Sequence, residues 1–290
     1  MQSVFSFIVN AVRPRMRTVA VCGVLALLAA GFDTVAPQLL GRGVDAAAKG
    51  KAFLPVLVAL AAWFAVRLVA DRTRSVISFY GQDVAIEASS AFMQRASAEL
   101  TKKPLAFHYG KKGGEITELL GQIRHEMIDV ISGIGFDLVP AIVSSVAIIT
   151  YLVVIDWRLA LSLGSGIIVY VAYTAWMTPK VIESQKARNA AQRKFGSFGW
   201  DSLRNILVVK STTNEPLVAS TLADYSVEYM RAVRADARID RGVMNTQNAI
   251  IAASSFATIL IAAQSISAGT STYGRLTAVI AYIFAIFGYI

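Results

Sequence analysis

The chain has 290 residues, 55% of them apolar and 16% charged, and carries a formal net charge of +9. Soluble domains average about 25% charged residues, so this composition excludes an ordinary soluble enzyme and points to a chain that resides in a membrane. The positive charge is not a nucleic-acid signal, because Lys and Arg gather in the segments that separate long apolar runs, where membrane topology itself requires them.

Arg13, Arg15 and Arg17 precede the first apolar run, residues 19–40, which holds Asp33 and Pro37. An Arg-rich start followed by apolar residues resembles a signal peptide, but further runs follow, so this one reads as a retained anchor. About 20 apolar residues at 1.5 Å each cross roughly 30 Å of hydrocarbon, and the first run meets that length. The second run, 53–80, is apolar in its outer half and carries Arg67, Asp71, Arg72 and Arg74 in its inner half; its helix is predicted to continue beyond the bilayer. Spans three and four, 134–155 and 159–178, are joined by Asp156-Trp157-Arg158, which has room only for a turn. A fifth span covers 249–268, and Gly269 to Gly274 forms the next turn. The sixth, 275–290, is still apolar where the sequence ends, so the sequence reads as a fragment or a truncated gene.

Two long excursions, residues 81–132 and 179–246, interrupt the apolar runs and hold most of the cations, among them Lys102, Lys103, Lys111, Lys112, Arg188, Arg193, Lys194 and Arg234. The opposite side receives only Arg42, Lys49, Lys51, Arg158 and Arg275, so the N-terminus and both excursions are predicted to be cytoplasmic. No Arg-rich, Ser-rich transit sequence precedes the first span, which favours a bacterial over an organellar origin, and the location expected is a bacterial plasma (inner) membrane. Both excursions keep apolar residues at helical spacing, as in Ile116, Leu119, Leu120, Ile123 and Met127, or Val218, Leu222, Tyr225, Tyr229 and Val233. The fold expected is therefore all-helical, with six transmembrane helices and two long cytoplasmic helical extensions. A helix this long outside lipid needs a partner surface.

Little in the chain carries chemistry of its own. The one cysteine, Cys22, lies inside the first span, and His108 and His125 fit no metal-ligand spacing, so no disulfide, no metal site and no catalytic residue is predicted. No phosphate-binding loop of the form G-x-x-x-x-G-K-[ST] occurs; Lys111-Lys112-Gly113-Gly114 has the wrong order.

Several local strings nevertheless carry a resemblance. Phe107-His108, Gly114-Glu115-Ile116, the turn from Ile155 to Leu161, Asp201-Ser202-Leu203, Val209-Lys210 and Glu215 follow one another in the order and spacing of an ABC exporter transmembrane domain of the six-helix, domain-swapped type. The similarity spans residues 1–290 as one domain. Pro37 with Val44-Asp45, Phe136-Asp137-Leu138-Val139-Pro140, Asn189, and Ala268-Gly269-Thr270 with Thr272 and Gly274 resemble most the iron–sulfur and heavy-metal half-transporters. That resemblance implies a dimer with a second half-transporter, identical or different, and a nucleotide-binding domain that this chain lacks. ATP and magnesium would belong to that domain. It also implies two coupling helices, near 111–122 with Gly114, Glu115 and Ile116, and near 199–208 with Asp201, Ser202 and Leu203. Gly113-Gly114 would allow the sharp turn before the first of them.

Candidate pathway residues follow from cost. Charges within a span are expensive in lipid and default to the protein interior or a water-filled path. Arg67, Asp71 and Arg74 are spaced to meet on one helical face, either lining an inner cavity or lying at the interface where the span ends. Asp33 is read the same way, or as a hydrated group near the outer mouth. Asn245 and Asn248 open the fifth span at positions where the resembled exporters bind their ligand, and Gln247 lies beside them. Two arginines those exporters place after the fourth span are Val181 and Gln185 here, which removes the natural carboxylate partners; Lys180, Lys186 or Arg188 would have to substitute. The substrate expected is a small amphipathic or anionic molecule, and the alternative to a transporter is a degenerate remnant acting as a membrane scaffold.

Overall fold

The computed structural model describes residues 13–50, 52–104 and 113–288, with the backbone alone for 113–119 and 122. The described residues are helical with short connections. After a 3-10 turn at Arg13–Arg15 come α1 (Met16–Ala48), α2 (Phe53–Thr101), α3 (Gly113–Ser132), a π-helical segment (Gly133–Leu138), α4 (Val139–Ile155), α5 (Trp157–Arg204), the short α6 (Ile206–Ser211), α7 (Glu215–Ser267) and α8 (Tyr273–Phe287).

Among the described residues, five helical stretches are long and apolar enough to cross a membrane: Arg13–Ala48, Phe53–Thr101, Ile123–Ile155, Trp157–Arg204 and Glu215–Ser267. Each contains one predicted span and three of them overrun it by many turns, so the helical excursions expected from periodicity are present as extensions of α2, α5 and α7. The sixth run is the shorter apolar helix α8. At 1.5 Å per residue it covers about 22 Å, short of the roughly 30 Å a span requires.

The chain divides into two compact units: Met1–Leu161 with Thr258–Ile290, and Ser162–Ala257. In the first unit α1 packs against α2, α4 and α8, and α2 also packs against α3. Small residues make this possible: Cys22, Ala26, Ala29, Ala30, Ala36 and Gly41 form the buried stripe of α1 and let neighbouring backbones approach. Pro37 removes one amide from the helical ladder. One turn earlier, the Thr34 carbonyl accepts two side-chain donors, Gln38 Nε2 at 3.0 Å and the Tyr282 hydroxyl at 2.5 Å.

Below this, Cys22 and Ala26 of α1, Ile77, Val84, Ala85 and Ala88 of α2, Ile131 of α3 and Phe136 of the π segment form one apolar cluster. Gly81 has no side chain because Phe136 lies there; an added Cβ would meet the ring. At the far end of α1, Gly41 and Gly274 touch backbone to backbone, so a side chain on either would run into the other's carbonyl oxygen. Asp45 fastens this contact, accepting from Thr272 Oγ1 at 2.7 Å and from the Gly274 amide at 2.7 Å, at the positive end of α8.

The N-terminal turn is tied to α2 by Arg15, whose Nε donates to Glu87 Oε2 at 2.7 Å while Nη2 reaches Oε1. This fork raises the guanidinium pKa and lowers that of the Glu87 carboxyl, the side-chain hydrogen bond being the larger cause in both.

In the second unit the lower halves of α5 and α7 pair through stacked Phe195 and Tyr229, 6.1 Å between centroids, an edge-on Phe198 and Tyr225 pair at 5.3 Å, and Lys194 bonded to Glu228 at 2.7 Å. The bond to Glu228 raises the Lys194 pKa. Higher up, Gly166 admits the Ser254 side chain against the α5 backbone.

Candidate functional site: substrate pathway and docking face

Four charged residues of the first unit, Asp33, Arg67, Asp71 and Arg74, form one connected chain. Asp33 is buried in α1 and accepts from Ser144 Oγ of α4 at 2.9 Å and from Arg74 Nη2 of α2. Arg74 Nη1 donates to Asp71 at 2.7 Å, and Arg67 Nε lies 3.2 Å from the other Asp71 oxygen. Sequence spacing anticipates the Arg67, Asp71 and Arg74 part, since these groups lie three and four residues apart on α2. Arg74 turns toward Asp33 with a quarter of its side chain exposed, whereas Arg67 and Asp71 are about half exposed. Asp33 is not a hydrated residue at an outer mouth; it is closed in by its partners.

Beside this chain lies a cavity of about 560 Å³, bounded by Arg74, Ser75, Ser78, Asp137 and Ser144 on its polar side and by Ala29, Ile77, Phe136, Leu138, Pro140 and Ala141 on its apolar side. The π segment shapes it. One extra residue in the helical turn re-phases the helix so that Phe136 packs on Gly81 while Asp137 borders the cavity. Ser144 and Asp137 carry no sequence signal for this role beyond being polar groups in an apolar run.

The remaining pathway candidates lie in the second unit. Gln247 is half-buried and donates from Nε2 to Thr174 Oγ1 of α5 at 2.9 Å, whereas Asn245 and Asn248 are exposed on α7. Asn189 is exposed and its Oδ1 accepts from the Arg188 guanidinium at 3.4 Å. Arg188 itself donates from Nη1 to the buried Asp236 at 2.6 Å and keeps about a third of its side chain exposed. The second oxygen of Asp236 is buried with no hydrogen-bond partner among the described residues. Spacing within one helix does not reveal this pair, which bridges 48 residues of sequence.

The expected docking segments are placed as follows. Asp201, Ser202 and Leu203 belong to the last turns of α5, and a separate short helix, α6, follows at Ile206–Ser211. The short helix therefore starts several residues later than the 199–208 window, because Asp201 to Arg204 continue the helical ladder of α5 and the chain turns only at Asn205. Around it Leu203, Ile206, Leu207 and Val208 are exposed, Leu207 at 82%. Thr213 adopts φ 54° in the return turn, and Lys210 lies 3.0 Å from Glu215 at the start of α7. The Glu215 carboxyl is held below its ordinary value by its own backbone amide and then by Lys210. In the other arm, Lys111 and Lys112 lie outside the described residues, and Gly114, Glu115 and Ile116 lie in the opening turns of α3. Gly113-Gly114 is thus the start of a helix rather than the turn before it, and no separate short helix precedes Ser132 among the described residues.

The arrangement of long apolar helices with extended arms is decided by comparison with known proteins: the family model for the ABC transporter transmembrane region matches residues 19–290. The chain belongs to that family. Among solved structures, this ABC transporter domain superimposes on a bacterial Atm1-family ABC exporter with ATP bound at a TM-score of 0.83, with 20% identity, covering 94% of this chain and 49% of the other. It is 27% identical over 112 residues to the mycobactin import ATP-binding/permease protein IrtA of Mycobacterium tuberculosis, which covers 37% of this chain and 13% of that protein. It is 24% identical over 188 residues to the beta-(1→2)glucan export ATP-binding/permease protein NdvA of Bradyrhizobium diazoefficiens, covering 64% of this chain and 31% of that one. The chain thus spans about half of the solved exporter and less than a third of these curated relatives. The ABC transporter domain has the exporter fold and is a multi-pass membrane protein.

Proposed function

We propose that the chain is the membrane half of an ATP-driven exporter, working as a dimer of six-span, domain-swapped half-transporters whose inner arms engage a nucleotide-binding domain. The observation that carries this is the exposed apolar tip at Leu203, Ile206, Leu207 and Val208, held on the end of two long paired helices. An exposed leucine on a short, well-formed turn has no use in water and suits a groove on a partner. Family membership and fold support the same reading. ATP and magnesium are assigned to the nucleotide-binding domain, as the family reading implies, and the phosphate-binding string G-x-x-x-x-G-K-[ST] does not occur in these 290 residues.

The N-terminus and arms face the cytoplasm of a bacterial plasma membrane, and a small amphipathic or anionic substrate enters from that side past Asn245, Gln247 and Asn248. The named relatives include one importer and one exporter, so direction belongs to the experiment. The transporter joined to its nucleotide-binding domain and reconstituted in liposomes is expected to show vanadate-sensitive ATPase that collapses when residues 111–122 or 206–211 are scrambled. In the same vesicles, Asn245→Ala with Asn248→Ala is expected to abolish stimulation by substrate. Full activity after both scrambles would remove the docking assignment, and vesicles that never transport would favour a scaffold.

A further inference from the structure

The cavity beside Arg74 carries an unbalanced charge. Asp33 and Asp71 are matched by Arg74 and Arg67 in the chain of ion pairs described above. Asp137 borders the same cavity, and among the described residues no cation or hydrogen-bond donor meets its carboxylate. Ser75 and Ser78 add hydroxyls beside it, while Phe136, Leu138 and Pro140 form an apolar wall. The volume, about 560 Å³, is that of a small-molecule site, and a mostly apolar lining with a few convergent polar groups is the usual make-up of one.

A second observation bears on the same place. The helix is π-wound at Gly133–Leu138, within the segment that supplies Phe136, Asp137 and Leu138 to the lining. A π turn gives up ideal hydrogen bonding, and such turns concentrate at functional sites because they re-aim side chains. Asp137 is exposed and meets no cation among the described residues, so its carboxylate can take a charge-assisted contact from a cationic ligand group.

We propose that this cavity binds an amphiphile with a cationic head, an ammonium or guanidinium group on an apolar body, with Asp137 as its counter-ion and Phe136, Leu138 and Pro140 against the tail. Arg74 does not repel the head, because Asp33 and Asp71 hold its guanidinium. The site is built from α1, α2, the π segment, α4 and Gly288 at the end of α8, all of one chain, and does not depend on the transport reading. The head group comes either from an aminophospholipid or from a free amine, and both offer the same contact.

The test uses the full-length transporter in phosphatidylglycerol nanodiscs and three tail-diazirine probes: dodecylamine, dodecanoic acid and dodecanol. After irradiation and digestion, mass spectrometry is expected to find the amine, and not the acid or alcohol, on residues 74–78 and 136–141. Enrichment of the amine at an anionic lipid surface is common to all variants, so the ratio to wild type is read. Asp137→Asn is expected to lower labelling at least about tenfold, the loss of one charge-assisted contact, and Asp137→Glu to retain it. Equal labelling by the acid, or equal labelling of Asp137→Asn, overturns the proposal, as does equal loss in Asp137→Glu. Should Asp137→Asn not fold, competition on the wild-type chain decides: unlabelled dodecylguanidinium is expected to displace the amine and dodecanoate is not, and the reverse order overturns the site. Adding phosphatidylethanolamine separates the sources within a positive result, since displacement assigns a lipid head and persistence a free amphiphile.

Discussion

A carboxylate with 1% of its side chain exposed, as Asp33 has, persists in an apolar bundle only while donors surround it. Here they are Arg74 and the Ser144 hydroxyl. Removing the cation alone strands a buried charge, whereas removing both partners leaves only lost packing. Arg74→Ala is therefore expected to destabilise the unit by about 3–5 kcal/mol, and Arg74→Ala with Asp33→Ala by clearly less, measured by unfolding in detergent. A double variant that costs as much as the two single losses added would show that the pair is not coupled. At this scale the sequence makes half the network legible. The i, i+3 and i+4 spacing of Arg67, Asp71 and Arg74 sets one helical face, but Asp33 lies 41 residues away and no periodicity links separate helices. The same gap hides the pairing of Arg188 with Asp236.

Among the elements, the helices themselves are well announced. Apolar length marks the spans, and apolar residues at three and four residue steps mark the arms. What periodicity cannot announce is a change of winding: a π turn keeps apolar residues at helix-like intervals, so Gly133–Leu138 reads as ordinary span. Its contact with Gly81 gives a direct check. Glycine to alanine inside a helix normally gains up to about 1 kcal/mol, but Gly81→Ala places a methyl against the Phe136 ring. It is expected to cost about 1–3 kcal/mol, and adding Phe136→Leu to recover part of that, read as melting temperature in detergent. A stabilised Gly81→Ala would mean the ring does not lie there. Asp201 to Arg204 are good helix formers or neutral, so nothing local ends α5 before Asn205, and the short helix α6 begins only at Ile206.

For the molecule as a whole, charge placement is the most informative sequence signal, because Lys and Arg near span ends set orientation. It yields a clear expectation. On a Cys22→Ser background, Asn205→Cys is expected to react with a membrane-impermeant maleimide only in inside-out vesicles, and Ser271→Cys only in intact cells. The opposite pattern would invert the chain. The division into two units was not legible, since both boundaries fall within continuous helices, α5 and α7, where composition does not change. Within the first unit, the backbone contact of Gly41 with Gly274 and the two bonds to Asp45 make the adjoining ends of α1 and α8 a single mechanical part. Prising them apart would expose two glycine backbones and an acceptor that already holds both its donors. A passage that opens at this end of the membrane must then part along some other seam, with α1 and α8 travelling together as one leaf of the door.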